Sequence, residues 1–121
     1  MPPPNGFNAP ILHKIVELYK KIYLLSPEIP KRDKFGIWLK IENICSEVID
    51  LITAASLEFK TNKLPILNSA RIKIELLKRL IRICEELNII ENKNYINLEL
   101  DLCEISKMAN GWIKYLLKKS Q

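Results

Sequence analysis

Between Lys60 and Arg82 seven basic residues (Lys60, Lys63, Arg71, Lys73, Lys78, Arg79 and Arg82) stand against one acid, Glu75. No other part of the chain has residue types and spacing that point so directly to chemistry. Cations fixed on one scaffold attract polyanions at range, and they gain further when phosphates release condensed counterions. A solvated helix face is the other reading of the same charges. Charge is sorted along the chain: the net excess is +5, yet residues 83 to 105 hold six acids (Glu85, Glu86, Glu91, Glu99, Asp101 and Glu104) beside one Lys93. After Glu104 no acid follows, and Lys114, Lys118 and Lys119 suit the negative end of a helix dipole.

Groups able to do covalent or metal chemistry are sparse. The one histidine, His13, has no serine or cysteine beside it to activate. Cys45, Cys84 and Cys103 are odd in number, far apart and without a CxxC pair, which argues for buried packing thiols and against a disulfide framework or zinc site. There is no Gly-rich phosphate loop and no HExxH, and one histidine cannot supply the paired Glu-x-x-His motifs of a di-iron bundle. The expectation is a binding protein that is not an enzyme and uses no cofactor.

The elements that must position these residues read as helices. The chain has 121 residues, suited to one domain, with 48% hydrophobic side chains and only three glycines. No apolar run approaches the roughly 20 residues of a membrane span, and the Met1-Pro2-Pro3-Pro4-Asn5-Gly6 start lacks the regions of a signal peptide. The expected location is the cytoplasm. Residues 1–8 read as a disordered Pro-rich tail, with Asn8 capping a first helix over 9–25 whose Ile11, Ile15, Leu18, Ile22 and Leu25 form one apolar stripe. Pro27 and Pro30 stop it. A second helix is predicted over 31–59, with Ile37, Ile41, Ile44, Val48, Leu51, Ile52 and Ala55 facing inward.

A third helix is predicted over 65–88, with Pro65 in its first turn. Its apolar side chains fill an arc of about 220° on a helical wheel, wider than the roughly 100° that one core contact needs. The helix must therefore lie centrally or offer a second apolar surface to another subunit. Lys73 interrupts that arc and is expected to snorkel or to pair with an acid. A fourth helix over 92–119 carries the seam Leu98, Leu102, Ile105, Ala109, Trp112 and Leu116. Gly111 inside it weakens the helix, and the simplest compensation is close approach of a neighbouring backbone with Trp112 filling the adjacent groove. Four such helices joined by short connections give an all-α, antiparallel up-down-up-down four-helix bundle over residues 9–121.

Three segments carry a family resemblance. Glu28-Ile29-Pro30-Lys31-Arg32-Asp33-Lys34-Phe35, the basic helix Leu76-Leu77-Lys78-Arg79-Leu80-Ile81-Arg82-Ile83 and the ending Glu104-Ile105-Ser106-Lys107-Met108-Ala109-Asn110-Gly111-Trp112-Ile113 resemble the accessory variability determinant (Avd) proteins of diversity-generating retroelements. The likeness spans about residues 10 to 118, and its small-Gly-Trp turn is the most specific part. The four-helix-bundle protein encoded by intervening sequences in bacterial ribosomal RNA genes is a more distant likeness. The resemblance implies a homopentameric barrel that binds nucleic acid, template RNA or cDNA, through a basic surface and associates with the element's reverse transcriptase during mutagenic retrohoming. The candidate binding residues are then Arg71, Lys78, Arg79 and Arg82, which share an arc of about 100°, together with Lys31 and Arg32 of the Ile-Pro-basic segment. Gly111 and Trp112 are the candidates for packing or oligomer contact. A purely structural oligomer and a helical adaptor for another protein are the alternatives; a membrane partner is not expected.

Overall fold

A computed structural model of the protein describes residues 10–119, so the proposed tail and its Asn8 cap lie outside the described residues. Every regular element among them is helical: α1 (Pro10–Leu25), a 3-10 turn (Ser26–Glu28), α2 (Lys31–Lys34), α3 (Ile37–Leu57), α4 (Lys60–Glu86) and α5 (Asn92–Lys119). The four long helices form a ring in which α3 packs on α4, α4 on α5, α5 on α1 and α1 on α3. Side-chain pairs fix the antiparallel register. Lys21 reaches Asn97 while Lys14 reaches Glu104, and Lys63 reaches the Ala55 carbonyl while Lys73 reaches Glu47.

The apolar stripes read from the sequence are the core. Ile11, Ile15, Leu18 and Ile22 of α1 are buried, as are all six seam residues of α5 from Leu98 to Leu116. From α3 come Ile41, Ile44, Val48, Ile52 and Ala55, with Ile37 and Leu51 at the core's edge. Trp38 is the largest fully buried side chain of this core, with its Nε1–H donating to the Ile22 carbonyl at 3.2 Å.

Two helix boundaries differ from expectation. The helix predicted over 31–59 is broken at Phe35 and Gly36, where Gly36 takes φ −109° and ψ −110°. A Cβ on Gly36 would lie 3.2 Å from the Arg32 carbonyl, so a side chain there would push the backbone of this turn apart, and glycine lets the chain fold back this tightly without that shift. The helix predicted to begin at Pro65 begins at Lys60 and runs through the proline. One helical hydrogen bond is lost there, at a cost of about 3 kcal/mol. Leu64 and Ile66 packing against the core and Leu67 buried within it hold the flanking turns in place, and Lys63 ties them to the end of α3. At its other end α4 closes on Asn88, whose φ of 59° is left-handed; Ile89 N–H donates to the Cys84 carbonyl at 2.8 Å and Asn88 N–H to that of Glu85 at 3.1 Å. This reversed turn satisfies carbonyls that the helix end would otherwise leave open.

Candidate nucleic-acid interface

Helix α4 is amphipathic, with Ala70, Ile74, Leu77, Ile81 and Cys84 buried and Arg71, Lys78, Arg79 and Arg82 on the outward side, at least partly exposed. The structure thus puts these four sequence-predicted residues along one helix. Lys31 and Arg32 lie apart from them on α2, both exposed, the Arg32 side chain at 92%. Arg32 lines a shallow depression with Pro30, Asp33, Leu87, Asn88 and Ile89, which places it beyond the C-terminal end of α4.

Most of the α4 cations already have partners. Arg71 donates twice to Asn68 Oδ1, at 2.8 and 3.2 Å. Lys78 pairs with Glu75 at 3.2 Å, and Arg82 with Glu86 at 3.5 Å and Glu85 at 4.0 Å. Arg82 also donates to the Tyr95 hydroxyl at 3.4 Å, and this bond, followed by the nearby carboxylates, holds its pKa above the ordinary arginine value. Arg79 alone of the four is exposed with no ion-pair partner among the described residues. Four cations against Glu75, Glu85 and Glu86 leave a net of about one positive charge on this face. The seven-to-one count from Lys60 to Arg82 overstated it, because Glu85 and Glu86 sit just beyond that window and one helical turn brings them alongside Arg82. Lys73 is likewise neutralised by Glu47 of α3 at 3.0 Å, the ion pair anticipated for it.

Beside the basic side chains α4 shows an apolar stripe. Ile72, Ile83 and Leu87 are 54%, 39% and 65% exposed, and Leu76 is half-buried. These complete the wide apolar arc: its inner part is core, and its outer part is left uncovered by the described residues.

The ending motif behaves differently from expectation at Gly111. Among the described residues no backbone approaches it: a Cβ built there meets none of their atoms within 4 Å, and the residue is exposed. Within the chain the close-approach reading is therefore corrected; Gly111 lies on the solvent side of α5, away from the seam that buries Ala109 and Trp112. Trp112 is buried, with the Lys63 ammonium 5.7 Å from its ring centroid. Lys63, one of the seven basic residues of this stretch, caps the last carbonyls of α3 at Ala55 and Ser56 and stacks on this indole.

Asp101 is a further structural residue that the charge pattern alone does not single out. This buried carboxylate accepts from Lys21 at 2.7 Å and from Lys14 at 3.5 Å, locking α1 to α5. Its position beside the Leu98 and Leu102 seam is the signal that could have found it. Cys45 and Cys84 are buried free thiols, pushed by burial up to about 12 and about 11, which suits packing rather than nucleophilic chemistry. Among the described residues no helix is long and apolar enough to cross a membrane.

No curated protein matches the chain. A family model described as bAvd-like matches residues 10–116, which takes in all four long helices up to the last turn of α5. The four-helix architecture, the basic-apolar α4 and the Gly-Trp turn of α5 thus occur in a chain that belongs to the bAvd-like family.

Proposed function

We propose that this protein is a non-enzymatic accessory factor of a diversity-generating retroelement, which binds nucleic acid and the element's reverse transcriptase and works as a homo-oligomer, a pentamer by its resemblance to Avd. The match to the bAvd-like family over residues 10–116 carries this reading. The outward side of α4 supplies the physical support. Exposed Ile72, Ile83 and Leu87 lie next to Arg79, and apolar side chains with arginine are what protein interface cores enrich. That composition suits contact with a neighbouring subunit or with the enzyme. An adaptor or purely structural oligomer would use the same stripe without any nucleic acid, and the neutralised α4 cations favour it as the second reading.

Light scattering and an RNA titration on the purified chain test the proposal together. It expects a mass several times that of the 14.1 kDa chain and RNA affinity that falls linearly on a log–log plot against salt. A monomer would overturn the oligomer. An oligomer with no RNA affinity at low salt would leave the adaptor reading in its place.

A further inference from the structure

We propose that a single-stranded nucleic-acid backbone lies along the outer face of α5, held by Lys107, Lys114 and Lys118, with Gly111 as the point where it comes closest to the helix. This rests on the nucleic-acid-binding reading above and adds where the strand sits. At 100° per residue Lys107, Gly111, Lys114 and Lys118 fall within an arc of about 60°, and at 1.5 Å per residue they span about 16 Å. The centre of that arc is opposite the Leu98 to Leu116 seam, and all four residues are exposed.

Charge separates this face from α4. None of Lys107, Lys114 and Lys118 has a carboxylate within ion-pair distance among the described residues, whereas on the outward side of α4 Lys78 and Arg82 are paired, Arg71 is held by Asn68 and Arg79 alone is free, and Lys14, Lys20 and Lys21 on α1 are all paired. From residue 105 to 119 the chain holds four lysines and no acid. Counterion release scales with cations that are free to meet phosphates, so the strongest such surface is on α5 and not on the helix with more basic residues.

Gly111 is the second, independent observation. It weakens an interior helical position, and none of the described residues packs against it in return. Flanked on its face by the three lysines, it leaves a gap between their stems where a phosphate can approach the helix surface. The face also fits poorly with other partners. The arc itself holds no large apolar side chain between Lys107 and Lys118, Tyr115 and Leu117 lying only at its two edges, whereas a membrane-binding helix needs a broad apolar face, and lysine is depleted where proteins pack on proteins. Lysines presenting point charges suit phosphates.

The test is fluorescence anisotropy with a labelled mixed-sequence single-stranded RNA across a salt series, using the intact protein. The triple variant Lys107→Gln, Lys114→Gln, Lys118→Gln should bind about 10- to 100-fold more weakly near 0.1 M salt. Its log–log salt slope should flatten by about two, since each single-strand phosphate contact contributes about 0.7. Arg71→Gln with Arg79→Gln on α4 should change the slope by less. Gly111→Leu should weaken RNA binding severalfold while leaving the melting midpoint equal or higher, an opposition that a packing role would not produce. Light scattering and far-ultraviolet circular dichroism confirm unchanged mass and helix content. Wild-type binding with an unaffected α5 triple variant overturns this placement and leaves the function standing. Failure of the wild type to bind RNA overturns both. Displacement of the RNA by polyglutamate as effectively as by a second RNA at equal charge overturns the nucleic-acid assignment of the face.

Discussion

Replacing Gly111 and Gly36 by alanine, one at a time, should move stability in opposite directions. In a helix interior glycine is about 0.8 to 1.0 kcal/mol worse than alanine, because it has more backbone freedom to lose. At Gly111, well inside Asn92–Lys119, the added Cβ meets no atom within 4 Å, so neither a clash nor a new contact offsets that gain. Gly111→Ala should therefore stabilise by about 0.8 kcal/mol, or roughly 3 to 5 °C in melting midpoint for a domain of this size. At Gly36 the added Cβ would meet the Arg32 carbonyl at 3.2 Å, a backbone atom inside a hydrogen-bonded turn that has little room to give. Gly36→Ala should destabilise by about 1 to 3 kcal/mol. Thermal melts by circular dichroism at one fixed protein concentration measure both, which matters because an oligomer's midpoint depends on concentration. A lowered midpoint for Gly111→Ala would contradict the open site and mean that a neighbouring subunit packs on this face.

Trp38→Ala should cost about 3 to 5 kcal/mol in urea denaturation, since the indole is fully buried and its hydrogen bond to the Ile22 carbonyl joins α1 to α3; a loss under 1 kcal/mol would mean the cavity collapses. Asp101→Ala should cost more than Glu104→Ala, because only the first carboxylate is buried between Lys14 and Lys21, and comparing the two melts decides it. Hydrogen bonding to Glu104, then attraction to Asp101, raises the Lys14 pKa above the ordinary lysine value. Its contribution is therefore fully present below that ordinary value and is lost as pH rises through the raised one, so Lys14→Met should remove part of the alkaline loss of stability. Iodoacetamide should label native Cys103 first and slowly, with burial and Glu99 raising its pKa, while Cys45 and Cys84 react only on unfolding; mass spectrometry counts the adducts.

The stripes of α1, α3 and α5 were legible because burial on one helix face imposes a period that the sequence cannot hide, and nearly every residue of those stripes is buried. Helix ends were less so. A proline reads as a first-turn residue, yet Pro65 is tolerated deeper because tertiary contacts hold the turn before it. The Gly36 break depends on a close approach to Arg32 that has no signature in composition. At the candidate surface, which residues share α4's outward side was readable from spacing, but which of them carry free charge was not. Neutralisation comes from Glu47 on another helix and from Glu85 and Glu86 one turn on, and the former can be found only when α3 is placed beside α4. Gly111 shows the converse: an interior glycine signals an open or a crowded site equally, and only the packing around α5 decides between them.

Co-expression with a diversity-generating reverse transcriptase from the same genome and its template RNA, followed by size-exclusion chromatography with light scattering, tests the accessory role most directly. The account predicts one complex containing enzyme, RNA and an oligomer of this chain, in which the enzyme is retained by wild type and lost when Ile72, Ile83 and Arg79 on α4 are replaced together by Ser, Ser and Gln. Enzyme and oligomer eluting separately, with RNA bound to the enzyme alone, would contradict it.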